Sequence, residues 1–274
     1  MSNRFSDLFA TLAEKKEGAF VPFVMLGDPD IATSVEIIRT LVAAGADALE
    51  LGVPFSDPVA DGPTIQRSHL RALAAGAHIA DCLHAVEQVR AEFPELPIGL
   101  LIYGNVPFTR GFEHFYAEFA AAGADAILIP DIPVRESKGL VAAAHAAAIA
   151  PVFIAPAQAS ADTLEAVAAT SEGYIYAISR DGVTGVEQES QTTGLAEVMA
   201  NVQRFNGAPV LLGFGISKPT HVADAIAAGA AGAITGSAIT KIIEDHVTKD
   251  AFDTATLYAE LRTYVQAMKA ATRS

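Results

Sequence analysis

Short, nearly continuous apolar runs alternate along this chain with stretches in which apolar residues recur every three to four positions. A run apolar on both faces suits a buried strand of a parallel sheet, and a stripe at helical spacing suits a helix packed against it. The runs predict eight strands, over residues 20–27, 48–54, 98–104, 126–133, 152–157, 174–180, 210–217 and 232–238. Helical stripes lie between them: Val35, Ile38, Leu41 and Val42 form one, and Tyr258, Leu261, Val265 and Met268 form another after the last strand. Ahead of the first strand, Phe5, Leu8, Phe9 and Leu12 fall at helical spacing, with Ser6 the expected N-cap.

One phrase recurs. LVAAGADALELG ends at Gly52, FAAAGADAILIP at Pro130 and AIAAGAAGAITG at Gly236. Each is the end of an Ala-rich helix, a glycine that stops it (Gly45, Gly123, Gly229), and a short apolar strand. Repetition of this unit predicts an α/β fold, a (β/α)₈ TIM barrel with an extra N-terminal helix and additional helices in the loops after strands two and eight. A doubly wound open sheet is the alternative. No Pro/Gly/Ser-rich linker divides the chain, so residues 1–274 are expected to form a single catalytic domain. Two connections stand out by length or composition: residues 55–97, with room for an extra helix, and the polar, glycine-rich residues 181–194. Both follow strands, on the face where barrel enzymes keep their chemistry. Each is a candidate lid or a tolerated insertion.

Composition narrows the function. Apolar residues make up 51% of 274, enough for a large core, and the formal net charge is -14. That charge would repel nucleic acid or an acidic membrane surface, and no apolar run approaches a membrane span. The single cysteine, Cys82, permits no intrachain disulfide, and a cytoplasmic home is expected.

Candidate chemistry gathers at strand ends. In the second strand Leu49 and Leu51 suit the helix-facing side, which leaves Glu50 pointing into the barrel. A carboxyl there loses hydration, so its pKa should rise toward that of a general acid or base working near neutrality. A structural carboxylate held by a hydroxyl or an arginine is the alternative. The loop that follows, GVPFSDPVADGP, is stiffened by Pro54, Pro58 and Pro63 and carries Asp57 and Asp61 above the barrel mouth; either aspartate could instead serve the turn alone. The seventh strand ends in GFGIS and the eighth in TGSAITKII. Backbone N–H groups at Gly215, Gly236 and Ser237, with a helix starting near Ser237, make a phosphate cradle that Gly185 could close.

The residues missing from strands narrow the choice further. None of the seven histidines falls at a strand end, His69, His84, His114, His145 and His221 being in helical stretches. This argues against a metal centre and a Ser-His-Asp triad. No strand carries a lysine for Schiff-base chemistry, and no glycine-rich dinucleotide fingerprint is present. Proton transfer by carboxylates beside a phosphate remains.

These phrases resemble the tryptophan synthase alpha chain family almost end to end, from EGAFVPFVMLGDP through GADALELGVPFSDPVADGPTIQ, SRDGVTG and GFGISKP to AGAITGSAI. The resemblance implies cleavage of indole-3-glycerol phosphate to indole and glyceraldehyde 3-phosphate, with indole passed to a beta chain. It implies Glu50 and Asp61 as the catalytic pair, Gly185, Gly215, Gly236 and Ser237 as phosphate ligands, and Phe23, Leu101, Tyr103, Leu128, Tyr176 and Phe214 as the indole pocket. It further implies an alpha2beta2 heterotetramer, with pyridoxal phosphate on the beta chain and no cofactor or metal here. YGNVPF and APAQ depart from the best-known members, which bears on pocket shape or partner contact and on neither carboxylate. Pro54, Asp57 and Pro58, rigid and projecting, are the expected partner contacts, on a loop with too few apolar residues to pack itself firmly. The readings left standing against this are another phosphate-binding barrel enzyme, a sugar-phosphate isomerase or indole-glycerol-phosphate synthase, and a non-catalytic partner subunit.

Overall fold

The computed structural model describes residues 3–178, 195–248 and 252–273. Its strands are β1 (Ala19–Met25), β2 (Leu49–Gly52), β3 (Ile98–Leu101), β4 (Ala126–Leu128), β5 (Ala150–Val152), β6 (Ile154–Pro156), β7 (Ile175–Ile178), β8 (Val210–Gly213) and β9 (Gly232–Thr235). All pair in parallel, in the order β5-β4-β3-β2-β1-β9-β8-β7-β6. The two ends of that order are separated in sequence by Phe153 alone, so the sheet closes into a TIM barrel. The strand expected over 152–157 is thus two short pieces, one pairing with β4 and the other with β7. Pro151 and Pro156 lie in these pieces and bring no N–H to the ladder, which keeps the pairing short.

The helices are α1 (Arg4–Lys15), α2 (Ile31–Ala43), α3 (Pro63–Ala74), α4 (Ile79–Glu92), α5 (Asn105–Arg110), α6 (Phe112–Ala122), α7 (Lys138–Ala146), α8 (Ala161–Thr170), α9 (Leu195–Arg204), α10 (Pro219–Ala227), α11 (Ser237–Val247) and α12 (Thr254–Ala270). Two helices follow β2 and two follow β9, as expected, but β3 is also followed by two. α1 starts earlier than Ser6 implied: the Asn3 side chain accepts the Phe5 N–H at 2.9 Å. Gly45, Gly123 and Gly229 all hold positive φ at the ends of their helices, the backbone the repeated phrase requires.

Side chains alternate between two layers. Leu49, Leu51, Ile98 and Leu100 pack outward with Val35, Ile38 and Leu41 of α2. Val21, Ala48, Leu128, Tyr174, Leu211 and Ile234 fill the interior, where they meet Phe5, Phe9 and Leu12. The Phe5 and Tyr174 rings lie 5.0 Å apart, so α1 plugs the N-terminal end and leaves the other end for a site.

Candidate active site

Register fixes the surroundings of Glu50. It stands between Phe23 on β1 and Gly99 on β3 and is 1% exposed. The Tyr174 hydroxyl donates to Glu50 Oε1 at 3.1 Å. A Cβ at position 99 would lie 2.9 Å from that hydroxyl oxygen, so Gly99 makes room for the phenol. Burial pushes the Glu50 pKa up to about 8, the Tyr174 hydroxyl pulls it down less strongly, and the charge of Asp61 adds to the rise. Tyr174 itself is held well above its ordinary value, chiefly by burial and then by Glu50, so it stays a donor.

The loop after β2 is tied down at several points, contrary to the expectation of weak packing. Asp61 N–H donates to Pro58 O at 3.1 Å and Val59 N–H to Asp57 O at 2.8 Å. The Gln66 amide donates to Asp61 O at 2.7 Å. Phe55 stacks on Tyr103 with centroids 5.3 Å apart, and its N–H donates to His69 Nδ1 at 3.0 Å. Tyr103 accepts the Ala60 N–H at 3.1 Å and donates to Asp61 Oδ2 at 2.8 Å, and His69 Nε2 lies 3.2 Å from the same oxygen. Asp61 is 4% exposed as a result.

Both carboxyls face one largely apolar cavity. Its wall comprises Phe23, Glu50, Asp61, Ile65, Leu101, Tyr176, Phe214, Gly215, Ile216, Ser217, Ile234, Gly236 and Ser237. At one end Phe214 and Gly215 both take positive φ, and α11 begins at Ser237 with Gly236 before it. First-turn N–H groups of a helix, with its dipole, suit an anion there. A Cβ at position 213 would lie 2.1 Å from the Tyr176 hydroxyl oxygen, so glycine at the end of β8 lets that ring reach the cavity.

Most residues singled out from the sequence for the catalytic pair, the phosphate and the indole thus converge on this cavity. Tyr103 stands behind Asp61, and Leu128, in register with the wall residue Leu101, packs in the barrel interior; neither forms the wall. Pro54 does not project: it is buried, because the chain leaves β2 beneath the loop, while Asp57 is exposed, Pro58 half-buried and Val59 72% exposed. Gly185 and the 181–194 loop fall outside the described residues. The sequence reading missed Tyr174, Ile65 and His69. One helical histidine does reach the site, as neither metal ligand nor triad member: α3 turns His69, 0% exposed, toward Asp61. His69 sits four residues after Ile65 and three before Ala72 on one buried stripe, which was the available signal.

Ion pairs hold the helices around this cavity. Arg71 on α3 donates to both oxygens of Asp28, each at 2.8 Å, and to Glu244 on α11 at 2.9 Å. Arg67 donates to Glu244 Oε2 at 2.9 Å. The Arg67 hydrogen bond holds Glu244 below its ordinary pKa, whereas burial raises Asp28 despite Arg71. The helix bearing His69 is therefore clamped to the helix whose N-terminus faces the cavity. Among the described residues no cluster of metal-ligating side chains occurs, and no helix is long and apolar enough to cross a membrane.

Comparison with known proteins agrees with this arrangement. The model of the family described as tryptophan synthase alpha chain matches residues 9–273. The chain is 64% identical over 271 residues to a tryptophan synthase alpha chain from Corynebacterium aurimucosum, covering 99% of this chain and 98% of that protein. It is 52% identical over 271 residues to one from Escherichia coli, covering 99% of each. Among solved structures, a Mycobacterium tuberculosis tryptophan synthase superposes with a TM-score of 0.88 at 27% identity, covering 100% of both chains. The alpha subunit from Legionella pneumophila gives 0.87 at 28% identity, covering 99% of each. The chain belongs to the tryptophan synthase alpha chain family, the lyase subunit that cleaves indole-3-glycerol phosphate in tryptophan biosynthesis.

Proposed function

We propose that Glu50 and Asp61 carry out this cleavage, Glu50 by moving protons and Asp61 by stabilising charge. The observation that carries the reading is that both line one apolar cavity ending at the N-terminus of α11. Breaking the bond between indole C3 and the glycerol chain requires protonation of C3, which turns the ring into an electron sink. Glu50, with a pKa raised to about 8, is mostly uncharged at neutral pH and gives C3 its proton. The carboxylate left behind takes the proton of the hydroxyl on the adjacent carbon as the carbon–carbon bond breaks and the aldehyde forms. Glu50 ends as it began, and one proton has moved from hydroxyl to ring carbon. Positive character reaches the ring N–H meanwhile, and the Asp61 carboxylate, held in place beforehand, stabilises it.

Phe23, Leu101, Tyr176 and Phe214 hold the indole ring, with Tyr103 and Leu128 supporting from behind, and Gly185, Gly215, Gly236 and Ser237 hold the phosphate. No cofactor or metal is required of this chain. The family works with a beta chain. We assign pyridoxal phosphate to that beta chain, place the pair in a cytoplasmic alpha2beta2 heterotetramer, and take Asp57, Pro58 and the exposed Val59 as the surface it meets; this chain supplies one catalytic domain. The test is indole release from indole-3-glycerol phosphate by the purified chain and by Asp61→Asn. A fall on the order of 10²-fold in the variant, the scale of lost preorganised charge stabilisation, is expected. Retention of more than a tenth of the wild-type rate would remove Asp61 from the mechanism.

A further inference from the structure

We propose that His69 is a positioning residue that decides which oxygen of Asp61 meets the substrate; this rests on the role given to Asp61 above. The Phe55 backbone N–H can only donate, so His69 Nδ1, 3.0 Å away, must be the unprotonated nitrogen. The ring proton therefore sits on Nε2, which donates to Asp61 Oδ2 at 3.2 Å. Tyr103 is constrained in the same way. Its oxygen accepts the Ala60 N–H, and its own proton goes to Asp61 Oδ2 at 2.8 Å.

Two donors thus converge on one carboxylate oxygen, and each is oriented by a backbone N–H of the loop that carries the carboxylate. Asp61 Oδ1 receives no hydrogen bond from any described residue. It is the oxygen left for the ring N–H. A carboxylate without this pair of donors could rotate about its last bond and share its charge between orientations. The cost would fall on the transition state, where the ring N–H gains charge, more than on ground-state binding.

Isosteric substitutions separate the two functions of the imidazole. In His69→Asn the amide oxygen replaces Nδ1 and still accepts from Phe55, but nothing reaches Asp61. In His69→Gln the amide nitrogen replaces Nε2 and still donates to Asp61. For the full chain acting on indole-3-glycerol phosphate, His69→Asn should lower kcat about 10-fold, the scale of one hydrogen bond to a charged group. KM should stay within about twofold and Tm close to wild type, and His69→Gln should recover most of the loss. In an Asp61→Asn background, His69→Asn should slow the residual rate no further.

The proposal is overturned by a His69→Asn kcat within about twofold of wild type, by a His69→Gln no better than His69→Asn, or by an equal loss in the Asp61→Asn background, which would mark a purely structural role. Activity retained by Asp61→Asn itself would instead defeat the reading of Asp61, and this proposal with it. Should His69→Asn not fold, Tyr103→Phe removes the other donor to the same oxygen. It must then show the same fall in kcat with KM held, and a rise in KM alone would overturn the proposal.

Discussion

Replacing Glu50 by Gln keeps its shape and an acceptor for the Tyr174 hydroxyl but removes the proton that titrates. Cleavage should fall by a factor on the order of 10² or more, the scale of general acid–base catalysis. The same change has a second consequence, independent of substrate. In the folded chain burial holds the Glu50 pKa at about 8, against an ordinary 4.5. Between those two pH values the folded chain keeps a proton that the unfolded chain releases, so stability falls as pH rises. Below about 4.5 both states are protonated and the full contribution is present; above about 8 both are ionised and the loss is complete. Each unit of difference is worth about 1.4 kcal/mol, which puts the ceiling on the order of 5 kcal/mol, and relaxation around the charge brings the expected value to a few kcal/mol.

Gln does not titrate, so Glu50→Gln should lack this fall and gain on wild type steadily across the window. Asp28 and Asp47, whose pKa values burial also raises, titrate in both proteins and cancel in the difference. Urea unfolding of both chains at steps from about pH 4.5 to about pH 9 measures it. A difference in stability that stays flat with pH would refute the reasoning that Glu50 is held uncharged. Indole release above a tenth of the wild-type rate would remove it from catalysis even if the stability effect appeared.

Three other outcomes are expected. Ser237→Asp puts a negative side chain at the start of α11, so KM for indole-3-glycerol phosphate should rise at least about 10-fold while cleavage of unphosphorylated indoleglycerol stays nearly unchanged; an equal fall on both substrates would mean a misplaced anion site or a misfolded chain. Arg71→Leu strands Asp28, 1% exposed, without its bidentate partner and should cost about 3 kcal/mol at neutral pH, read from the urea midpoint; a loss below about 1 kcal/mol would show that Asp28 finds another partner or takes up a proton cheaply. Adding a cognate beta chain should raise indole production. Asp57→Ala should reduce that gain and leave the isolated chain within about twofold of wild type, whereas an unchanged gain would place the contact elsewhere.

Where a physical rule acts on neighbouring residues, the fold could be read from the chain. The alternation of Leu49, Glu50 and Leu51 gave the two faces of β2, and the glycines of the repeated phrase marked helix ends that positive φ requires. Tertiary contacts decided the rest. Ser6 and Asn3 are both good caps, but helix from Arg4 onward lets that guanidinium reach Pro94 O and Asp125 Oδ1, each at 2.7 Å, and those partners lie some ninety or more positions away. The break at Phe153 was hidden because the apolar run passes straight through it and says nothing about which neighbour each half pairs with. α5, flanked by Gly104 and Gly111 with Pro107 inside, carries the composition of a loop.

The site shows the same division at finer scale. That Glu50 and Asp61 would face one cavity was legible, because a strand end and a stiffened loop constrain them locally. His69 was not, because helical placement says which face is buried and not which loop that face meets. Leu128 marks the opposite case, a correct inward direction that does not say on which side of the barrel the cavity opens. The cavity wall draws on β1, β2, β3, β7 and β9 and takes nothing from β4 or β5. It is therefore off-centre, toward the strands that α11 and α3 overhang: α11 opens directly from β9, and Ile65 of α3 packs with Phe23 and Met25 of β1. Leu128 of β4 is in register with Leu101 and belongs to the interior apolar layer, yet it is not part of the wall. Alternation alone could not distinguish these two halves of the barrel, because the asymmetry is imposed by helices lying outside the sheet.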